Sequence, residues 1–125
     1  MSKIFNVTKS DNEEPVPTVW RDTYRQIVEA FRNGNFSLQG IDGVNPLSDD
    51  DADAIRRSIH SYGGRVARLP EEAWNTSIAR WTGSHWDVLV DLFIEDVGLS
   101  DLAISSRVKG CGETYLFVVD CVYVP

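Results

Sequence analysis

Few residues in this chain are equipped for chemistry. His85 and Asp87 stand two apart on a segment that reads as a strand, where alternate side chains share a face, so an imidazole and a carboxylate would lie side by side and could hold or move a proton. The competing reading is a solvated pair at an exposed strand edge. Those two residues are also the partners a Cys111 nucleophile would need. No spacing ties them to it, and Gly110-Cys111-Gly112 reads as a turn in which the cysteine is simply a small residue. Gly83-Ser84-His85 lacks the second glycine and the strand-to-helix setting of a nucleophile elbow. Asp49, Asp51 and Asp53 open like a calcium loop. Its sixth and twelfth positions hold Ala54 and His60, however, where a tight turn and a bidentate carboxylate are required. With two histidines, two cysteines and no Cys-x-x-Cys pair, a zinc site is not expected either. The expected metal and cofactor content is none.

The charge balance excludes more than the motifs do. Nineteen acids against twelve bases give a formal charge of -7, which argues against binding nucleic acid, since displacing counterions from a phosphate backbone takes a basic stripe. An anionic membrane surface is excluded on the same ground. The longest apolar run, Tyr115 to Val119, is far below the roughly 20 residues that span a bilayer. With no apolar leader near Met1, a cytoplasmic address is expected. Cys111 and Cys121 should then be unpaired thiols. A strand would separate them by about 23 Å where a disulfide needs about 7 Å or less, and Cys121 is expected to be a small buried residue. Without a leader, the Asn-x-Ser/Thr triplets at Asn6, Asn35 and Asn75 read as chance.

Two helices and a sheet would have to position these residues. Residues 1–17 read as an arm and linker, with a strand-like patch at Ile4 to Val7 and prolines at 15 and 17. Residues 18–125 read as a single domain. Thr18 is the expected N-cap of a helix on which Trp20, Tyr24, Ile27, Val28 and Phe31 share one face. Ser48 followed by Asp49, Asp50 and Asp51 starts a second helix, its acids set against the positive helix end, and Gly63-Gly64 stops it. From Arg65 on the period changes to two. Short strands are expected at Arg65 to Leu69 and Thr76 to Thr82, with a possible helical turn at Pro70 to Trp74 between them. Longer strands follow at Trp86 to Glu95, Leu102 to Val108 and Thr114 to Val124. The expected fold class is α+β: two N-terminal helices packed on one face of a four- to five-stranded antiparallel meander.

The acids are not evenly spread. Five lie between Arg32 and Arg56 and five between Arg80 and Arg107, with no Lys or Arg in either window. Capping explains most of the first group. The second lies on the strand whose face opposite Trp86 reads Asp87, Leu89, Asp91, Phe93, Glu95, alternating acid with large apolar residue. A merely solvated face would not carry Leu89 and Phe93, so these five residues form the expected contact surface for a basic protein partner. The last strand is apolar on both faces, which calls for a second layer, another protein or a homodimer.

The segments Pro15 to Tyr24 and Gly83 to Phe93, with the ending Val122-Tyr123-Val124-Pro125, resemble a family of small acidic bacterial proteins without an assigned activity. In size and acidity the chain is also similar to the immunity proteins of bacterial toxin systems, a resemblance that implies an inhibitor presenting an acidic surface. The helix ending Phe31-Arg32-Asn33-Gly34-Asn35-Phe36 before a late antiparallel sheet is similar to the NTF2-like cone fold. That likeness implies instead a small-molecule pocket between helices and sheet, for which His85, Asp91, Tyr115 and Asp120 are the residues of matching type.

Overall fold

A computed structural model describes residues 7–125 of the chain. Helical spacing of Trp20, Tyr24, Ile27, Val28 and Phe31 produces α1 (Thr18–Arg32), and all five side chains are buried. Pro17 rather than Thr18 holds the N-cap position. Its restricted φ suits entry into a helix without a side-chain cap, and its carbonyl accepts the Trp20 amide at 3.0 Å. Helix α2 (Asp49–Tyr62) starts as its sequence dictates, with the Ser48 hydroxyl accepting the Asp51 amide at 3.2 Å and three aspartates in the first turn. Ile55 and Ile59 bury its apolar stripe.

Five strands follow one another in chain order as an antiparallel sheet: β1 (Glu14–Pro15), β2 (Ile78–Trp81), β3 (Trp86–Ile94), β4 (Gly98–Cys111) and β5 (Thr114–Tyr123). The α+β class and the meander are therefore as expected, with a 3₁₀ turn over Glu71–Asn75 where the helical turn was read. Two strand expectations change. Residues 65–69 do not form a strand of their own; Val66 makes a single bridge to Ile94, flanked by the Ala67 amide on the Phe93 carbonyl and the Glu95 amide on the Arg65 carbonyl, each at 2.8 Å. Residues 7–17, read as arm and linker, line the β2 side of the sheet. Ser10 accepts the Trp81 amide at 2.8 Å, Thr8 accepts the Trp86 indole N–H at 3.2 Å, and Val16 is fully buried. Of the strand-like patch at Ile4 to Val7, the first three residues lie outside the described residues.

The core lies between the helices and the inner sheet face. Trp20 meets Trp86, Tyr115 and Phe117 edge-on at centroid distances of 5.1, 5.4 and 6.2 Å, the geometry aromatic quadrupoles favour. Below it the Tyr24 hydroxyl donates to Ser106, 2.7 Å away, and Ser106 passes its own proton to the Val88 carbonyl at 3.1 Å. That chain satisfies polar groups that would each cost about 1–3 kcal/mol if buried alone. The loop between the two helices runs along the free edge of β5. Val44 bridges Phe117 in parallel, the Asn45 amide reaches the Phe117 carbonyl, and the Phe117 amide reaches the Gly43 carbonyl, both at 2.9 Å.

Candidate functional site

Directly opposed residues in an antiparallel sheet share a face, so the register defines the outer surface in rows. Arg80, Asp87, Arg107 and Val118 form one row; Ile78, Leu89, Ser105 and Cys121 the next; Asp91, Ala103 and Tyr123 the third. Among the described residues no helix packs over these rows. Leu89, Ile78 and Val118 are half-buried and Tyr123 is exposed. A groove of about 570 Å³ opens on this face between the N-terminal segment and β3. It is lined by Asp11, Glu13, Arg80, Asp87, Leu89 and Tyr123, among others. Asp11, Glu13, Ile78 and Tyr123 were not in the expected contact set. The acids precede the helices in sequence, and only the pairing of β1 with β2 brings their segment to the face.

The five residues expected to meet a partner divide. Asp87 and Leu89 are where the alternation places them. Asp87, however, is shared between His85 Nε2 at 3.0 Å and Arg80 at 4.0 Å. Asp91 is half-buried and makes no ion pair among the described residues. Phe93 is only 6% exposed and belongs to the hydrophobic core, so it cannot serve as a surface anchor. Phe93 follows a register shift between Asp91 and Phe93, at the strand end that residues 65–67 pair with. Glu95 bonds Arg32 at 3.0 Å and Arg65 at 3.2 Å. The Glu95 hydrogen bond, followed by that of Glu29, raises the Arg32 pKa, and the two guanidinium partners leave Glu95 little charge to offer a ligand.

The four residues of matching type for a pocket do not converge. Tyr115 lies on the helix side against Trp20 and Trp86, where burial pushes its phenol pKa up. Asp120 lies on β5 with its carboxylate on Arg107 at 2.8 Å, and Asp91 faces outward. The space between α1 and the sheet is occupied by Trp20, Tyr24, Ile27 and Val28, all fully buried. A catalytic constellation cannot be assembled from groups divided between two faces of a sheet.

His85 and Asp87 do share a face. An Nε2 proton on Asp87 leaves Nδ1 to accept from the Ser84 hydroxyl at 2.9 Å, a serine–imidazole–carboxylate series. Its setting is wrong for acyl transfer. The Ser84 and His85 amides both point at the Thr82 hydroxyl, at 3.5 and 3.3 Å, so the turn has spent the donors that would stabilise an oxyanion. The series locks the β2–β3 turn. Cys111 is exposed at the β4–β5 turn, as its glycines indicate, but Cys121 is exposed as well, not buried. A register shift opposite Ser105 and Ser106 inserts an extra residue in β5 and turns Asp120 and Cys121 together to solvent. Partial burial and the Asp120 charge raise the Cys121 pKa, keeping it a protonated, weakly nucleophilic thiol. No group of three potential metal ligands occurs among the described residues. No helix among them is long and apolar enough to cross a membrane.

An α+β fold with an open, partly apolar sheet face is thus what the elements and the site define. The chain belongs to the family described as a domain of unknown function (DUF7668), whose model matches residues 28–125. No curated protein and no solved structure matches it.

Proposed function

We propose that this protein is a binding module, an immunity-type or regulatory inhibitor of the bacterial cytoplasm, that presents the outer sheet face to a basic protein partner. The observation that carries this reading is the uncovered face itself. Half-buried Ile78 and Leu89 and exposed Tyr123 lie beside the unpaired Asp91 and a groove with three carboxylates, Asp11, Glu13 and Asp87, against one guanidinium, Arg80. Apolar anchors within a charged rim are the usual anatomy of a protein contact, and the excess acid sets the sign of the partner. Asp91→Lys is the informative variant because it breaks no internal ion pair. Affinity capture from the native cell should recover one basic protein with the wild-type chain, lose it at high salt and lose it with Asp91→Lys. Recovery of nothing but the chain itself would sink the reading in favour of a homodimer.

Small-molecule binding has one observation on its side. An apolar cleft of about 420 Å³ lies between the N-terminal segment and the start of α1, lined by Val7, Pro17, Val19, Ala79 and Trp86. It holds no acid–base pair, so it suits a binder rather than an enzyme. Quenching of Trp86 fluorescence by an apolar probe, abolished in Val19→Asp, would favour it.

A further inference from the structure

Among the described residues six large apolar side chains are exposed: Val19, Tyr62, Val97, Leu99, Tyr123 and Val124. Five of the six gather at one end of the sheet. Leu99 pairs with Phe93 at the start of β4, and Val97 forms the turn just before it. Tyr123 pairs with Ala103, Val124 follows, and the Tyr62 hydroxyl at the close of α2 accepts the Asp101 amide at 3.1 Å. Val97 is 76% and Leu99 52% exposed. Exposed apolar residues gathered in one region mark an interaction site more often than scattered ones do.

Three of the carboxylates at this end are left free. Asp91, Asp96 and Asp101 make no ion pair among the described residues, whereas Asp87, Glu95 and Asp120 are each held by an arginine. The nearby cations, Arg32 and Arg65, are both spent on Glu95. Arg107 and Lys109 lie toward the opposite end of β4. The patch is therefore apolar with an uncompensated negative rim. A second copy carrying the same acids would be repelled from it, and an acidic partner would be too.

Resting on the binding reading above, we infer that the partner's recognition element is a segment in which Lys or Arg alternates with large apolar residues, and that it docks at the β3–β4 turn end of the sheet. Val97, Leu99 and Tyr123 receive its apolar side chains; Asp91, Asp96 and Asp101 receive its cations. The groove beside Arg80 and Asp87 then lies at the margin of the contact.

The test uses the full chain, ¹⁵N-labelled, titrated with a synthetic peptide alternating Leu with Arg and with a counterpart alternating Leu with Glu. The Arg peptide should shift the amides of residues 97–101 and 121–124. Its dissociation constant should rise at least tenfold in Leu99→Ser and several-fold in Asp101→Asn, and stay unchanged in Val19→Ser at the far end. Val97→Ser, whose side chain is mostly in solvent, serves as a second variant should Leu99→Ser disturb Phe93. Shifts centred on Arg80, Asp87 and Leu89, with binding indifferent to Leu99→Ser and Val97→Ser, overturn this placement and leave the broader reading standing. Equal binding of the Glu peptide, or binding of neither, overturns the partner chemistry assigned here. A dimer in sedimentation that Leu99→Ser dissolves would make a second copy the occupant and overturn the assignment as well.

Discussion

The Tyr24 phenol commits its proton to a fully buried acceptor chain, through Ser106 to the Val88 carbonyl. Ser106→Ala strands the Tyr24 hydroxyl and should cost about 1–3 kcal/mol, while Tyr24→Phe removes donor and demand together and should cost less. The double variant should then be no worse than Ser106→Ala alone, a coupling that denaturant unfolding of the four proteins measures. Burial also drives the Tyr24 pKa well above its ordinary value of 10.0. The unfolded chain therefore releases this proton first as pH rises, so the stability it contributes is whole below pH 10 and declines above it. Tyr24→Phe should flatten that alkaline limb. Single residues were the least legible part of the site. Phe93 sits on the outward phase of a clean alternation, and no local signal betrays its burial, because the strand end it lies on pairs with Arg65 to Ala67, nearly thirty residues earlier. Asp87 and Leu89, by contrast, were legible, since two-residue alternation holds as long as the register does.

Elements whose signals are local could be read in advance. In α2, the Ser48 cap, the three leading aspartates and the stop at Gly63 all lie within one stretch of chain. Both register shifts, beside Asp91 and beside Ser105, depend on the partner strand, and they are what misplaced Phe93 and Cys121. Gly64 shows how tightly the α2 exit is tied to β3. A β-carbon there would come within 2.6 Å of Ile94 Cγ2 at a φ of +80°, whereas one at Gly34, φ +82°, meets open space. Both alanine variants strain the backbone, but only Gly64→Ala must also displace a buried side chain. Gly64→Ala should therefore lower the melting temperature by several degrees more than Gly34→Ala, and combining it with Ile94→Ala, which vacates the space, should cost less than the sum of the two.

At the scale of the whole molecule, the family match and the folding unit do not coincide. The match begins at residue 28, yet Trp20, Tyr24 and Ile27 are fully buried, and losses of about 2–5 kcal/mol for each such side chain would exhaust a total stability of roughly 5–15 kcal/mol. A chain starting at residue 28 should show no cooperative thermal transition by circular dichroism. A dispersed amide spectrum from that fragment would contradict this. The fold class and the two-layer arrangement were legible because hydrophobic period changes once, from helical to alternating, near residue 65. The net charge was legible as a number but not as a surface. Eight of the nine described arginines have carboxylate partners within the chain, and only the fold decides which acids those pairings leave over.

The loop between the helices that runs along β5 has a further consequence. An antiparallel sheet ordinarily ends in two rows of unsatisfied amides, which act as templates for unwanted strand addition. Here Gly43 and Asn45 occupy the Phe117 position on one rim, and the other rim is two residues long and closes on Pro15, which has no amide to offer. Growth by stacking sheets edge to edge is blocked at those positions on both rims, so a chain with this much apolar strand can leave a face open without becoming a seed for fibrils.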